Sequence, residues 1–123
     1  MWPFGKKSTD KVTTLRTQAA AVQDIISEAF DSPGPLYTPE RQQILSKWLG
    51  NFARNLGAAV TAVETGKDMR GQPISTDQIL QGLKRMCDDY GRTDTLKRLE
   101  DVCGSSTRGR FERVLRDVRS VLQ

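Results

Sequence analysis

Apolar residues recur every three or four positions along most of this chain, and that spacing restricts it to helices. In the first such segment they are Val12, Leu15, Ala19, Val22 and Ile26. Residues at this spacing share one face of an α-helix, and no segment shows the alternation that is typical of a half-buried strand. Because 123 residues is a common size for one domain, we expect a single hydrophobic core.

Capping and breaking residues mark two long helices. The first is predicted over residues 9–30, where a stretch rich in proline and glycine ends it. The second begins after Thr38, a favourable N-cap residue followed by proline, and ends near Gly66. The connecting residues 33–39 can act as an exposed recognition segment or as a simple connector between the helices.

Three shorter helices follow in the second half of the chain. Ser75 and Gln78 form a capping-box pattern at the start of the third helix, which stops at Gly91. A fourth helix ends at Gly104, and a fifth continues almost to the last residue. The sequence therefore predicts an all-α, single-domain bundle of about five helices, two long and three short. We expect a flexible aromatic and basic segment over residues 1–8 and a helical domain over residues 9–123.

Two glycines interrupt the second helix on one of its faces. Gly50 and Gly57 are seven residues apart, and each costs about 1 kcal/mol of helix propensity relative to alanine. Several alanines lie nearby, which favours close packing of another backbone against this region. The alternative is that the two glycines only mark a weak or bent part of the helix.

The residue types that most enzymes depend on are absent or poorly placed. The chain has no histidine, which excludes imidazole catalysis and imidazole metal ligands. Cys87 and Cys103 fall on apolar stripes beside acidic residues, which favours buried, reduced thiols over reactive ones. A disulfide between them is the alternative. There is no phosphate-binding loop and no convergent pair of carboxylates. We therefore expect a non-enzymatic protein with no cofactor and no metal.

The net charge of +4 is concentrated near the two ends of the chain. The last helix carries five arginines opposite its apolar stripe, and they are Arg108, Arg110, Arg113, Arg116 and Arg119. They form either an ordinary solvated face with local ion pairs or a basic face that binds phosphates of nucleic acid or lipid. Since no aromatic residues are interleaved for stacking on bases, any nucleic-acid binding would not be sequence-specific.

The first seven residues place two large aromatic side chains next to two lysines. Trp2 and Phe4 precede any helix signal, and Lys6 and Lys7 follow directly. The segment can fold back onto the core, insert into an anionic membrane surface or enter the pocket of a partner protein. Membrane attachment through so few residues is weak, so it would need dimerisation or a second basic patch. The arginine face of the last helix is the expected second patch.

These patterns predict a protein that works by binding. We expect a helical interaction or scaffold protein that self-associates and attaches to an anionic membrane surface through its N-terminus. The alternative is a nucleic-acid-binding domain that uses the arginine face of the last helix. No apolar run approaches the roughly 20 residues that a membrane-spanning helix needs, and no secretory signal is recognisable. A cytoplasmic location, with membrane association, is therefore expected.

Overall fold

The computed structural model describes residues 6–28 and 33–122, and its architecture is all-α, as predicted. The five helices are α1 (Lys6–Glu28), α2 (Pro39–Thr65), α3 (Thr76–Tyr90), α4 (Thr93–Cys103) and α5 (Ser105–Ser120). The described residues contain no strand beyond one antiparallel bridge between Lys67 and Pro73. In this part of the chain, no helix is both long enough and apolar enough to cross a membrane.

The predicted caps of α2 and α3 are confirmed. The Thr38 hydroxyl accepts a hydrogen bond from the backbone N–H of Arg41 at 3.1 Å. At the other end of α2, Gly66 adopts a left-handed backbone with a φ of 73°, which favours glycine. Ser75 and Gln78 exchange the two hydrogen bonds of a capping box, at 2.9 and 3.2 Å. Local sequence alone therefore explains both ends of α2 and the start of α3.

The limits of α1 differ from the prediction at its start. Its described part runs from Lys6 to Glu28, so residues 6–8, which were expected to belong to the flexible segment, are helical. The predicted end at Phe30 lies among residues 29–32, outside the described residues. Trp2 and Phe4 also lie outside them.

The buried face of α1 is rotated slightly from the predicted stripe. Ile25 is buried, whereas Ala19 and Ile26, which the spacing assigned to the core, are only half-buried. Gln18 is buried as well, and its side-chain amide donates a hydrogen bond to the Asp117 carboxylate of α5 at 3.3 Å. This bond explains how the core accommodates a polar side chain.

The centre of the core is an aromatic cluster from α2, α3 and α5. Phe52 of α2 and Phe111 of α5 are fully buried, and their ring centroids lie 5.2 Å apart in an edge-to-face arrangement. Tyr90 of α3 stacks on Trp48 of α2, with ring centroids 4.6 Å apart. Such ring pairs contribute about 1 kcal/mol each beyond the area they bury. Side chains from three different helices therefore meet at one point.

The direction of α1 follows from its connection and its ion pairs. A short connection joins Glu28 to Pro39, so α1 and α2 run antiparallel. Arg16 of α1 meets Glu64, near the end of α2, at 2.6 Å. Glu28 at the other end of α1 forms an ion pair with Arg110, near the start of α5. The first residues of α1 therefore lie at the end of the bundle where α2 finishes.

The α1–α2 loop, whose described residues are 33–38, is bound to the end of α4. The Gly34 N–H donates to the Val102 carbonyl at 2.9 Å, and the Leu36 N–H donates to the Asp101 carbonyl at 2.8 Å. Carbonyls in the last turn of a helix have no partner within the helix, so the loop supplies one. A Cβ added to Gly34 would lie 2.5 Å from the Glu100 carbonyl oxygen, so this position requires glycine. These contacts favour the connector interpretation of the loop.

No described part of the chain packs closely against Gly50 or Gly57. A Cβ added to either residue would meet no heavy atom of the described chain within 4 Å. Gly57 is exposed, and α2 packs through larger side chains at neighbouring positions, such as Leu49 and Leu56. Within the described chain the tight backbone approach occurs at Gly34 instead, so close packing of another backbone at Gly50 and Gly57 stays a prediction.

Candidate interaction surface

The predicted N-terminal contact is described only in part. Trp2 and Phe4 precede the first described residue, and Lys6 and Lys7 open α1. The role of these residues as a membrane or partner contact stays a prediction.

Three of the five arginines in the last helix pair with acidic groups of other helices, and Arg110 and Arg119 make the closer contacts. Arg110 forms an ion pair with Glu28 at the end of α1. The Arg119 guanidinium reaches α3, where it donates to the Asp88 carboxylate and to the Cys87 backbone carbonyl, at 3.1 Å each. A guanidinium with donors in a fixed plane suits such multiple contacts. Both arginines therefore help to hold the bundle together.

The other three arginines of α5 are placed differently from one another. Arg108 lies 3.7 Å from Glu100 of α4, and about a quarter of its side chain is exposed. Arg116 lies 3.8 Å from the adjacent Asp117 and is largely exposed, as is Arg113. The five arginines are thus divided: three bridge to α1, α3 and α4, while two extend into solvent. The structure does not bring all five together on one open face.

Both cysteines are free, buried thiols, as the sequence indicated. Burial raises the pKa of the Cys87 thiol to about 11, although the nearby Arg119 guanidinium opposes this shift. Burial also raises the pKa of the Cys103 thiol. Since the thiolate is the nucleophile and the metal ligand, neither side chain is poised for such chemistry at neutral pH. Within the described residues, no cluster of three or more acidic or thiol side chains could hold a metal ion.

A groove of about 540 Å³ lies between the N-terminal half of α2 and the outer side of α4. We call it the α2–α4 groove. Leu45 and Val102 are buried beneath it. Leu36 and Ile44 line it and are 52% and 65% exposed. Large aliphatic side chains exposed together beside a cavity are typical of an interaction surface.

Charged side chains of both signs surround the α2–α4 groove. Asp101 lies 3.9 Å from Lys97, one turn earlier on α4. The Arg41 guanidinium donates to the Leu36 carbonyl at 2.9 Å. Arg98 lines the groove, and Glu40 lies one turn before Ile44 on α2. Both are exposed, and no oppositely charged group of the described chain pairs with either. One acid and one base therefore remain available to a partner.

A second cleft, of about 330 Å³, lies between α2 and α3. Small residues line much of it, including Ala58, Ala62 and Gly82. Met69, from the loop between the two helices, borders the opening and is 75% exposed. Two charged residues, Asp68 and Arg70, also line this cleft, and the Asp68 carboxylate accepts backbone N–H groups of its own loop.

Sequence reasoning missed the α2–α4 groove. Ile44 directly precedes Leu45, so it falls off the apolar stripe that defines the core face of α2. An isoleucine out of phase with its stripe was the available signal. Leu36 lies in a loop, so the helical spacing of apolar residues does not predict whether it is buried or exposed. The groove itself depends on the packing of α4 against α2, which no local pattern reveals.

Comparisons of this chain with protein-family models, with curated proteins and with solved structures find no match.

Proposed function

We propose that this chain is a non-enzymatic helical interaction protein that self-associates through the α2–α4 groove. The exposure of Leu36 and Ile44 beside that groove is the observation that supports the proposal most directly. Large aliphatic side chains in water carry a hydrophobic free-energy cost, which burial against a partner relieves. The groove is therefore expected to be covered when the protein works.

A second copy of the chain suits the groove because one face offers both a projection and a recess. Ile44 protrudes beside the groove, and Leu45 and Val102 lie beneath the recess. In a two-fold dimer the same patch serves both copies, so each Ile44 enters the groove of the other. Glu40, one turn before Ile44, then faces Arg98 of the second copy. Both charges lack a partner within the described chain and gain one in the dimer.

The alternative of a nucleic-acid-binding domain has less support from the geometry. Backbone phosphates are bound by several basic side chains that converge on one surface. Arg108, Arg110 and Arg119 instead contact acidic groups on three other helices. An arrangement of this kind favours a structural role for most of the predicted basic face.

Sedimentation velocity over a series of protein concentrations tests the proposed dimer. The native chain should dimerise reversibly, and Ile44→Asp should raise the dissociation constant by roughly 100-fold, because each dimer loses two buried anchors. Met69→Asp is the matched control, since Met69 is also a strongly exposed aliphatic residue but lies away from the groove. It should leave the dimer unchanged.

A charge exchange tests the two-fold geometry. Glu40→Arg and Arg98→Glu should each weaken self-association, because each creates two like-charge contacts per dimer. Mixing the two variants should restore association, since both contacts in the mixed dimer again pair opposite charges. A native chain that stays monomeric at every concentration would contradict the proposed function. A dimer that tolerates Ile44→Asp would show that another surface is used.

A further inference from the structure

The cleft between α2 and α3 is an elongated space, and none of the described residues lines both this cleft and the α2–α4 groove. Along α2 the cleft extends from Asn55 to Ala62, and along α3 it extends from Gln78 to Met86. At 1.5 Å per residue, these two stretches are about 10 and 12 Å long. The cleft volume of about 330 Å³ lies at the lower end of the range for small-molecule sites in proteins.

The two ends of the cleft differ in chemistry. Beyond one end, the rings of Phe52 and Tyr90 bring α2 and α3 into contact, with their centroids 4.9 Å apart. The loop that joins the two helices lies at the opposite end, and Arg70 of this loop lines the cleft. Arg70 is exposed, and no acidic group of the described chain pairs with its side chain. The cleft therefore ends beside a cation that is available to a ligand.

Small and apolar side chains form the walls of the cleft. Ala59, Ala62 and Leu83 line it and are buried. Gly82 leaves further space, because a Cβ added there would meet no heavy atom of the described chain within 4 Å. Met69 borders the opening and is 75% exposed. Since methionine is unbranched and flexible, it can pack along the side of an apolar ligand.

The backbone that carries Arg70 is held by hydrogen bonds within its own loop. The Asp68 carboxylate accepts the N–H groups of Arg70 and Gln72, each at 2.9 Å. The Gly71 N–H donates to the Asp68 carbonyl at 3.0 Å. The Asp68 carboxylate therefore binds the backbone of the loop, and the Arg70 guanidinium keeps its own donors for a ligand. A loop that is already ordered loses little conformational entropy when the ligand binds.

We propose that this cleft binds a small carboxylate with an unbranched apolar chain, whose carboxylate pairs with the Arg70 guanidinium while the chain lies between α2 and α3. A guanidinium presents parallel N–H donors that match the two oxygens of a carboxylate. Burial of the chain against the walls of the cleft supplies hydrophobic free energy. Walls of about 10 Å accommodate a chain of about eight carbons. The site is separate from the proposed self-association surface, and neither proposal depends on the other.

A small ligand suits the cleft better than a segment of a partner protein does. A stable protein interface buries about 800 Å² on each partner. The cleft is only about two helical turns long, so a docked helix of ordinary length would extend well beyond it. A single chain with one terminal charge uses both the length of the cleft and the position of Arg70 at its end.

An NMR titration of the isotopically labelled full chain with octanoate tests the site. 1-Octanol has the same chain without the charge, and acetate has the charge without the chain. Octanoate should shift the amide signals of Arg70 and Gly82 in a saturable way and leave that of Ile44, beside the α2–α4 groove, unchanged. 1-Octanol should bind about fivefold more weakly, because it lacks the ion pair with Arg70. Acetate should show no saturation.

A pair of glycine substitutions tests whether the ligand occupies the cleft. Gly82→Leu should weaken octanoate binding about 30-fold, because the leucine side chain displaces part of the ligand chain. Leucine also favours a helix more than glycine does, so α3 should be retained. Gly57→Leu is the matched control, since Gly57 is exposed and equally free of nearby atoms but does not line the cleft. It should change binding less than about twofold.

A pair of arginine substitutions tests the position of the carboxylate. Arg70→Gln should weaken octanoate binding about fivefold and leave 1-octanol binding unchanged, because only octanoate carries the charge. Arg113→Gln removes an exposed arginine of α5 that does not line the cleft, and it should change neither affinity.

Circular dichroism of each variant verifies that the helices are retained. The proposal is overturned if octanoate does not bind saturably, if 1-octanol binds the native chain as tightly as octanoate, or if Gly82→Leu binds like Gly57→Leu. Octanoate shifts confined to the α2–α4 groove would also overturn it. Sedimentation velocity of Gly82→Leu should show unchanged self-association. A chain that is monomeric and binds octanoate as described would sustain this proposal while the dimer proposal fails.

Discussion

The two loops that flank α2 each expose a large aliphatic side chain, but they are held in different ways. The α1–α2 loop donates the N–H groups of Gly34 and Leu36 to carbonyls of α4. The α2–α3 loop is closed mainly by bonds of its own residues, such as the one from Gly71 to Asp68. Leu36 and Met69 are both more than half exposed. Only the first loop, however, supports another helix.

This difference shows that glycine and proline in a loop do not reveal what the loop does. Gly34 is required because α4 leaves no space for a side chain, whereas Gly71 is required by its own backbone angle. The first requirement is set by a helix far away in the sequence, and the second is set within the turn. Substitutions at the two glycines should therefore lower the free energy of unfolding by different amounts. The effect at Gly34 should extend to α4, and the effect at Gly71 should stay within its own loop.

Gly34→Ala should produce the largest loss of stability. The added Cβ would lie 2.5 Å from the Glu100 carbonyl oxygen, so the loop must move and weaken its hydrogen bonds to α4. We expect a decrease of about 3 kcal/mol in the free energy of unfolding, measured by urea denaturation. Gly57→Ala is the control, because no described atom lies near a Cβ there. It should raise stability by about 1 kcal/mol through helix propensity. Equal effects at both positions would contradict a stabilising role for the hydrogen bonds between the α1–α2 loop and α4, which we call the α1–α2 clamp.

Thiol labelling should detect the loss of the α1–α2 clamp at α4. Cys103 is buried in the last turn of α4, next to the carbonyls that the loop binds. In a Cys87→Ala background, a chromogenic disulfide reagent should react with Cys103 about 100-fold faster when Gly34→Ala is added, since labelling follows opening of the helix end. Gly71→Ala in the same background should label like its parent. Rapid labelling of Cys103 in the Cys87→Ala variant alone would show that the end of α4 opens even when Gly34 is present.

Gly71→Ala should cost about 1 kcal/mol, because an L-residue is disfavoured at a φ of 78°. The effect should remain local: the turn loosens while the core contacts of α2 and α3 persist. Hydrogen exchange should become faster at the Gln72 amide and stay unchanged at the amides of Gly34 and Leu36. Faster exchange in both loops would show that the two regions are coupled.

Leu36→Gln and Met69→Gln should have the smallest effects on the free energy of unfolding, within about 0.5 kcal/mol, since both side chains are mostly exposed. The two variants should differ in binding. Leu36→Gln should weaken self-association, whereas Met69→Gln should leave it unchanged, because Met69 lies away from the α2–α4 groove. Thermal denaturation and sedimentation velocity of the same two samples provide the comparison. Equal loss of self-association in both variants would show that the loop between α2 and α3 also belongs to the interface.

The parts of the fold that depend on neighbouring residues could be predicted from the sequence. Thr38, Gly66 and the Ser75–Gln78 pair act on the adjacent turn of helix, so their positions predict where α2 and α3 begin and end. The spacing of apolar residues likewise identifies most of the core, including Phe52 and Phe111. These signals are local because capping bonds and helical faces involve residues within a few positions of each other.

The features that depend on distant residues could not be predicted. Gln18 is buried because Asp117 lies beside it, and the sequence gives no indication of that pair. The sequence of α5 predicts an open basic face, but Glu28, Asp88 and Glu100 of other helices pair with three of its arginines. The α2–α4 groove is also a product of helix packing. Candidate binding surfaces are thus harder to predict than the helices that carry them.

The bonds between the α1–α2 loop and α4 also constrain the order in which the chain can fold during synthesis. Gly34 and Val102 are separated by more than half the chain, so their hydrogen bond must wait until nearly the whole domain has left the ribosome. Before that point α1 and α2 can pair with each other and with α3, and the loop amides are bonded to water. The bonds between the α1–α2 loop and α4 therefore form late in folding. A chain released before α4 is made would have α1 and α2 without these bonds.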